Sequence, residues 1–138
     1  MRREILRPHQ SIEHLASHET EGVYALGAFD RDGEVVSVGF VEPEGEPGAW
    51  RVRGMATRPD VRGRGAGAVI LAGLLEYAVA EGATRVWCNA RVRARSLYER
   101  AGFKVVSGAF EVPEIGPHLV MEWLPPRAVS QETSATDA

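Results

Sequence analysis

Residues 61–67 read V-R-G-R-G-A-G and run directly into the apolar, periodic stretch Ala68–Ala80. Glycines at 63, 65 and 67 let backbone N–H groups converge where side chains would block approach, and the free amides and dipole of a new helix add to the field. With Arg62 and Arg64 built into it, such a turn cradles an anion and points to a ligand carrying a pyrophosphate. It is not the dinucleotide fingerprint, because the third glycine follows the second by two residues instead of three. It also lacks the Gly-Lys-Ser/Thr ending of a nucleoside triphosphate loop.

Charge is segregated around this turn. Residues 51–104 carry eleven basic and four acidic side chains, whereas the chain as a whole has a net charge of −3. A basic middle inside an acidic chain suits one bound polyanion better than general nucleic-acid affinity, which wants a net basic surface. Nucleic acid is therefore not an expected partner. With 138 residues and 44% apolar content, the chain suffices for one compact domain. No stretch approaches the roughly 20 apolar residues of a membrane span, and no signal-peptide core follows Met1–Arg7, so a cytoplasmic protein without a membrane partner is expected. Cys88 is the single cysteine, which excludes an intramolecular disulfide. The four histidines show no zinc spacing, His14 and His18 read as a surface pair, and no metal is expected.

Outward from the turn, Trp50–Thr57 reads as a strand with Trp50, Val52 and Ala56 on one side and Arg51, Arg53, Met55 and Thr57 on the other. Before it, Glu4–Arg7 reads as a short strand and Gln10–His18 as a short helix or turn. Val23–Phe29 and Val35–Val41 read as a hairpin around Asp30-Arg31-Asp32-Gly33, closed by the loop Glu42–Gly48. After the turn, a helix starting near Gly65 or Gly67 repeats Ile70, Leu71, Leu74, Leu75 and Ala78 and ends at Glu81-Gly82. Thr84–Asn89 is the next strand, so Trp50–Asn89 has the strand–helix–strand order of a crossover unit. A second helix over Val92–Ala101 carries Ala94, Leu97, Tyr98 and Ala101 on one face and stops at Gly102. Phe103–Ser107 and His118–Leu124 read as closing strands, with Gly108–Pro117 as an ordered arm between them. Residues 1–126 form the expected domain, and the Ser/Thr/Ala-rich 127–138 an expected disordered tail.

In order, the strand W-R-V-R-G-M-A-T, the turn V-R-G-R-G-A-G, then W-C-N-A-R and S-L-Y-E-R-A-G-F resemble the GCN5-related N-acetyltransferases over roughly Trp50–Phe103. The family's coenzyme element, Arg or Gln, two residues, Gly, one residue, Gly or Ala, falls on Arg62, Gly65 and Gly67. Its Leu-Tyr and later Gly-Phe fall on Leu97, Tyr98, Gly102 and Phe103. A narrower resemblance is to small bacterial members carrying W-C-N-A-R at Trp87–Arg91 and I-G-P-H at Ile115–His118, followed by Met121.

The resemblance implies an α/β (α+β) fold with a mixed, mostly antiparallel sheet, flanked by helices and splayed between the strands near Met55 and Trp87. It implies acetyl-coenzyme A as cosubstrate, with Met55, Ala56 and Thr57 offering backbone groups to the pantetheine arm. Arg62, Gly63, Arg64, Gly65, Ala66, Gly67 and Ala68 would hold the phosphates, and Ser96 joins this coenzyme site. Tyr98 matches the tyrosine that gives a proton to the departing thiolate. Arg53, Asn89, Arg91, Glu111 and His118 are expected on the acceptor side. Arg91 occupies the place where the family often has asparagine in its Asn, two residues, Ala pattern, and Asn89 is not its equivalent. The family usually has two helices between its first strands, and only Gln10–Gly22 is available here. The acceptor cleft is then more open, or completed by a second subunit in a homodimer.

The implied chemistry is direct transfer of an acetyl group to a primary amine of a small molecule. The general base stays open among Glu42, Glu44, Glu111 and His118. Cys88 lacks the histidine and orienting partner of an acyl-carrying nucleophile and reads as a small buried hydrophobe. If Arg51 and Arg53 share the cleft face with Met55 and are joined by Arg91, the acceptor is an amine bearing a carboxylate or phosphate. The alternative is that these arginines pair with nearby glutamates or serve the coenzyme phosphates. A different class also fits the scaffold: a non-catalytic acyl-coenzyme A-binding regulatory or interaction protein.

Overall fold

A computed structural model of the chain describes residues 13–62 and 65–126. The expectations for Glu4–Arg7, Gly63, Arg64 and 127–138 lie outside the described residues. Eight strands form one sheet: β1 (His14–Thr20), β2 (Val23–Phe29), β3 (Val35–Pro43), β4 (Ala49–Thr57), β5 (Arg85–Arg91), β6 (Lys104–Val105), β7 (Phe110–Val112) and β8 (Gly116–Trp123). Their order is β1-β2-β3-β4-β5-β8-β6, with β7 also paired to β8. All pairings are antiparallel except β4–β5, which is parallel and bridged by helix α1 (Ala66–Ala80). The mixed, mostly antiparallel α/β sheet is the one expected. None of the described helices is long and apolar enough to cross a membrane.

The first hairpin corrects one expectation. Residues 14–18, expected to be helix or turn, belong to β1. Glu21 and Gly22 both have positive φ, at 48° and 86°, the two-residue geometry whose twist suits a tight hairpin. It fixes Thr20 against Val23 and carries the register down to His14 against Phe29. Two residues thus join β1 to β2, leaving no helices between them. The next hairpin is held by Asp30, whose carboxylate accepts the N–H of Asp32 at 2.9 Å and of Glu34 at 3.0 Å. These bonds and the Arg58 ion pair hold its carboxyl below the usual value.

A second correction lies inside β4. Val38 pairs with Ala56 and Phe40 with Arg53, so Gly39 alone spans Gly54 and Met55. This β-bulge adds one residue and reverses the alternation beyond it. Gly54 takes φ 68°, and a Cβ there would meet the Phe40 ring at 2.5 Å. Met55 fills the space left by the missing side chain of Gly39, against Ile70 and Leu74. Met55 and Thr57 therefore share the helix-covered face with Trp50 and Val52, while Arg51, Arg53 and Ala56 lie on the other. An isolated glycine inside a strand was the sequence signal for this.

The helix α1 buries Ala66, Ile70, Leu71, Leu74, Leu75 and Ala78 and packs on β2, β3 and β4. Tyr77 stacks on Tyr24 with centroids 3.8 Å apart and meets Trp50 edge-on, which fixes the rotation of the helix. Gly82, at φ 96°, ends it. The expected helix Val92–Ala101 is a 3-10 turn at Val92–Ala94 followed by α2 (Arg95–Arg100). Tyr98 meets Phe103 edge-on at 5.3 Å, and Phe103 stacks on Trp123, so α2 covers the same sheet face as α1. Only Lys104–Val105 of the expected strand Phe103–Ser107 is ladder, because Ser107 Oγ takes the Val120 N–H that a backbone carbonyl would have accepted. The arm Gly108–Pro117 includes β7 and its turn into β8.

Gly54→Ala should destabilise the fold by roughly 1–2 kcal/mol, from positive φ and the Phe40 clash together. Urea denaturation checks this, and unchanged stability would remove the bulge as a constraint.

Candidate active site

The parallel ladder between β4 and β5 pairs Ala49 with Arg85, Trp50 with Val86 and Arg51 with Trp87, and goes no further. β4 nevertheless continues to Thr57 and β5 to Arg91. A wedge opens between them, and the facing backbone groups have no strand partner across it. Extended backbone with unpaired N–H and C=O groups needs water or a ligand to satisfy it. The far edge of β4 is firmly held: Ser37, 1% exposed, donates through Oγ to Ala56 O at 3.1 Å and contacts Thr57 Oγ1 at 2.9 Å.

The start of α1 closes one end of the wedge. Gly65 precedes the helix at φ 90°, no side chain caps it, and no acidic residue lies in its first turn. A Cβ on Gly67 would sit 3.3 Å from Thr57 Oγ1 and 3.8 Å from Leu97, so the first turn meets the end of β4 and the tyrosine helix at one point. Arg62 is exposed and reaches back to Thr57 O through Nε at 3.3 Å. Uncapped amides, a 15-residue helix dipole and a guanidinium meet on this rim, an arrangement whose field favours an anion. Gly65, Ala66, Gly67 and Ala68 lie on the rim with Arg62, and Met55, Ala56 and Thr57 form its β4 side. Ser96, on α2, is exposed to solvent.

Tyr98 and Cys88 lie in the interior beside the wedge, with 5% and 1% of their surface exposed. Burial, reinforced by the neighbouring Cys88, raises the Tyr98 phenol above its ordinary value of 10.0. It therefore keeps its proton across the neutral range and is a donor, not a base. Among the described residues no group hydrogen-bonds its hydroxyl. Burial pushes the Cys88 thiol up to about 12, against a smaller lowering by Arg51. The thiol therefore keeps its proton at neutral pH, which makes it a poor nucleophile.

Of the five acceptor-side candidates, Asn89, Arg91 and His118 gather on the sheet face away from the helices. Arg91 is opposite His118 in the β5–β8 register, with Asn89 opposite Val120. His118 is buried, hydrogen-bonds Gly116 O through Nδ1 at 2.9 Å and packs against Phe110. Glu111 is exposed and lies at the register position of Pro117, on the opposite face from His118. Arg53 is on the outer face but engaged with Glu42 at 2.7 Å. Arg51 binds Glu44 at 3.3 Å and lies over the Trp87 ring, 5.1 Å from its centroid. The expected grouping of Arg51 and Arg53 with Met55 is thus overturned by the bulge at Gly54.

The segregated charge has a structural component as well. Arg51, Arg53, Arg58 and Arg85, all from the basic middle, pair with Glu44, Glu42, Asp30 and Glu46 of the acidic first part. The basic and acidic blocks are therefore partly cross-strand complements. A cavity of about 440 Å³ between α1 and the β1–β2 hairpin is lined mainly by Leu15, Tyr24, Leu26, Val69 and Ala72, away from Tyr98. Its lining includes Ser17, Glu76 and Tyr24 but no cation.

Comparison with known proteins identifies the family. Residues 2–103 match the acetyltransferase (GNAT) family. The uncharacterized N-acetyltransferase YitI of Bacillus subtilis (strain 168) is 38% identical over 128 residues, 88% of this chain and 85% of the relative. Nourseothricin acetyltransferase superposes with a TM-score of 0.67 at 22% identity, over 77% of this chain and 67% of that one. An aminoglycoside 6'-N-acetyltransferase, solved in complex with coenzyme A, gives a TM-score of 0.66 at 15% identity, over 76% and 74%. These two structures show the shared fold. The fold is one that acetyltransferases share. The chain belongs to the GNAT family of acetyltransferases.

Cys88 in the folded protein should react with iodoacetamide at pH 7.5 at least about 1000-fold more slowly than in urea, and Cys88→Ala should keep most of the turnover. Rapid native alkylation, or a loss of activity beyond about 100-fold with the fold intact, would make the thiol a participant.

Proposed function

We propose that the protein transfers an acetyl group from acetyl-coenzyme A to a primary amine of a small molecule, by direct attack without an acyl-enzyme. The observation that carries this reading is the wedge, where unpaired β4 backbone, an uncapped helix start and a buried protonated phenol converge. The residues fit the coenzyme: a linear polar arm suits the unpaired strand edge, and a pyrophosphate suits the first-turn amides with Arg62. When bound, acetyl-coenzyme A supplies an activated acyl carbon and a thiolate leaving group.

The remaining work falls to this chain. Backbone N–H groups of the Met55–Thr57 segment orient the arm, and one of them donates to the oxygen that gains charge. The amine nitrogen forms the new C–N bond as the C–S bond breaks. Tyr98 gives its phenolic proton to the sulfur, and its burial keeps that proton in place until charge develops there. The amine proton leaves toward the outer face. There Glu42 and Glu44 are engaged by arginines and Glu111 points away, so His118 is the best-placed acceptor, directly or through one water. With Nδ1–H donated to Gly116 O, its Nε2 carries the free lone pair.

Coenzyme A release across a panel of primary amines tests the proposal. Saturable acetyl-coenzyme A binding with no turnover on any amine would favour a binding-only role. Tyr98→Phe should fold normally and retain coenzyme affinity, while the single-turnover rate falls roughly 10- to 1000-fold. Because burial raises the phenol, the loss of rate from its deprotonation should begin only above pH 10.0. An unchanged single-turnover rate would leave Tyr98 as packing.

A further inference from the structure

Most arginines of the described structure have carboxylate partners: Arg31, Arg51, Arg53, Arg58, Arg85 and Arg95 each lie within 4.0 Å of one. Arg62, Arg91, Arg93 and Arg100 have none among the described residues, and two of these, Arg91 and Arg93, stand next but one in the chain. Both line a pocket of about 310 Å³, completed by Val92, Ile115 and Pro117. Two like charges converging on one concavity without a counter-ion repel each other, and an anion placed between them relieves that repulsion. The wall beside them is apolar and open, with Ile115 53% and Val92 38% exposed.

The position of this pocket ties it to the wedge. Arg91 ends β5 three residues beyond Cys88, the neighbour of Tyr98, about 10 Å along the strand. The turn Val92–Ala94 then leads directly into α2, which carries Tyr98. His118 faces Arg91 across the β5–β8 pair. Ile115 and Pro117 come from the β7–β8 hairpin, on the side of β5 away from β4 and the start of α1. The coenzyme-phosphate cradle and this pocket therefore occupy opposite flanks of β5.

We propose that this pocket selects the acceptor, and that the acceptor is a small amine bearing a carboxylate and an apolar substituent. The inference rests on the acetyltransferase reading above. The guanidinium groups of Arg91 and Arg93 take the carboxylate, and Val92, Ile115 and Pro117 contact the apolar part. The volume lies at the small end of ligand pockets and suits a body of amino-acid size. Polycationic acceptors are repelled by the same two charges.

Two measurements test it separately from turnover as such. In the first, coenzyme A release is followed with L-amino acids and their amides, using the wild type and Arg91→Gln/Arg93→Gln, with a thermal melt confirming that the variant folds. The acids should exceed their amides by about 10- to 100-fold in kcat/KM. The double variant should lose that preference through KM while acetyl-coenzyme A affinity changes less than about twofold. Equal use of acids and amides, preference for spermidine, or a variant that loses coenzyme affinity instead would overturn the assignment. In the second, coenzyme A-loaded protein is titrated calorimetrically with N-acetyl-L-leucine and N-acetyl-L-leucinamide. The acid should bind at least about tenfold tighter in the wild type and not in the variant. Equal or absent binding of both overturns the pocket, whereas selective binding without any amine turnover upholds the pocket and refutes the transferase reading.

Discussion

The parallel pairing of β4 with β5 stops after Arg51 and Trp87, and the rest of the site depends on that stop. A strand edge left unpaired inside a folded protein is costly unless something satisfies it. Here the divergence is built in. Gly54 introduces an extra residue on the β3 side of β4, and the bulge rotates Met55 and Thr57 onto the helix-covered face. Ser37 ties the end of β4 back to β3, so the strand stays extended while its other edge remains open. The uncapped start of α1 and the buried Tyr98 lie beside this open edge.

Much of this was legible in the sequence because local pattern and tertiary role agree there. The stripe of Ile70, Leu71, Leu74, Leu75 and Ala78 marked α1, and the apolar face of buried Tyr98 with half-buried Ala94, Leu97 and Ala101 marked the second helix. The strand–helix–strand order implied the parallel crossover. What was not legible depends on single backbone positions. Strict alternation through Trp50–Thr57 cannot detect a bulge, and one glycine inverted the sides of Met55, Ala56 and Thr57, which separates Met55 from Arg51 and Arg53. The segment His14–Thr20 has little apolar character, and its strand state comes from the Glu21-Gly22 turn and from pairing with β2. A pairing of that kind is a tertiary effect that local propensity does not carry.

Charge shows the same limit. Counting basic residues over 51–104 pointed to an anion, yet four of those arginines are occupied by acidic partners from the preceding strands and loops. Ion pairs near the surface are screened by water and add little to stability. Their consequence for function is larger than their energy, since they remove candidate anion binders from the count. Outside the α1 turn, Arg91, Arg93, Arg100 and Lys104 have no carboxylate partner among the described residues, and of these Arg91 and Arg93 line one pocket, where the β5 end and the β7–β8 hairpin meet. The short β1–β2 connection leaves that sheet face without helical cover among the described residues.

The central claim is that the wedge between β4 and β5, together with the first turn of α1, is the coenzyme site. Amide hydrogen exchange with and without acetyl-coenzyme A tests it most directly. Protection should rise at Met55–Thr57 and at the first turn of α1, and stay unchanged around the apolar cavity between α1 and the β1–β2 hairpin. Protection confined to that cavity, or none at β4 under saturating coenzyme, would contradict the account.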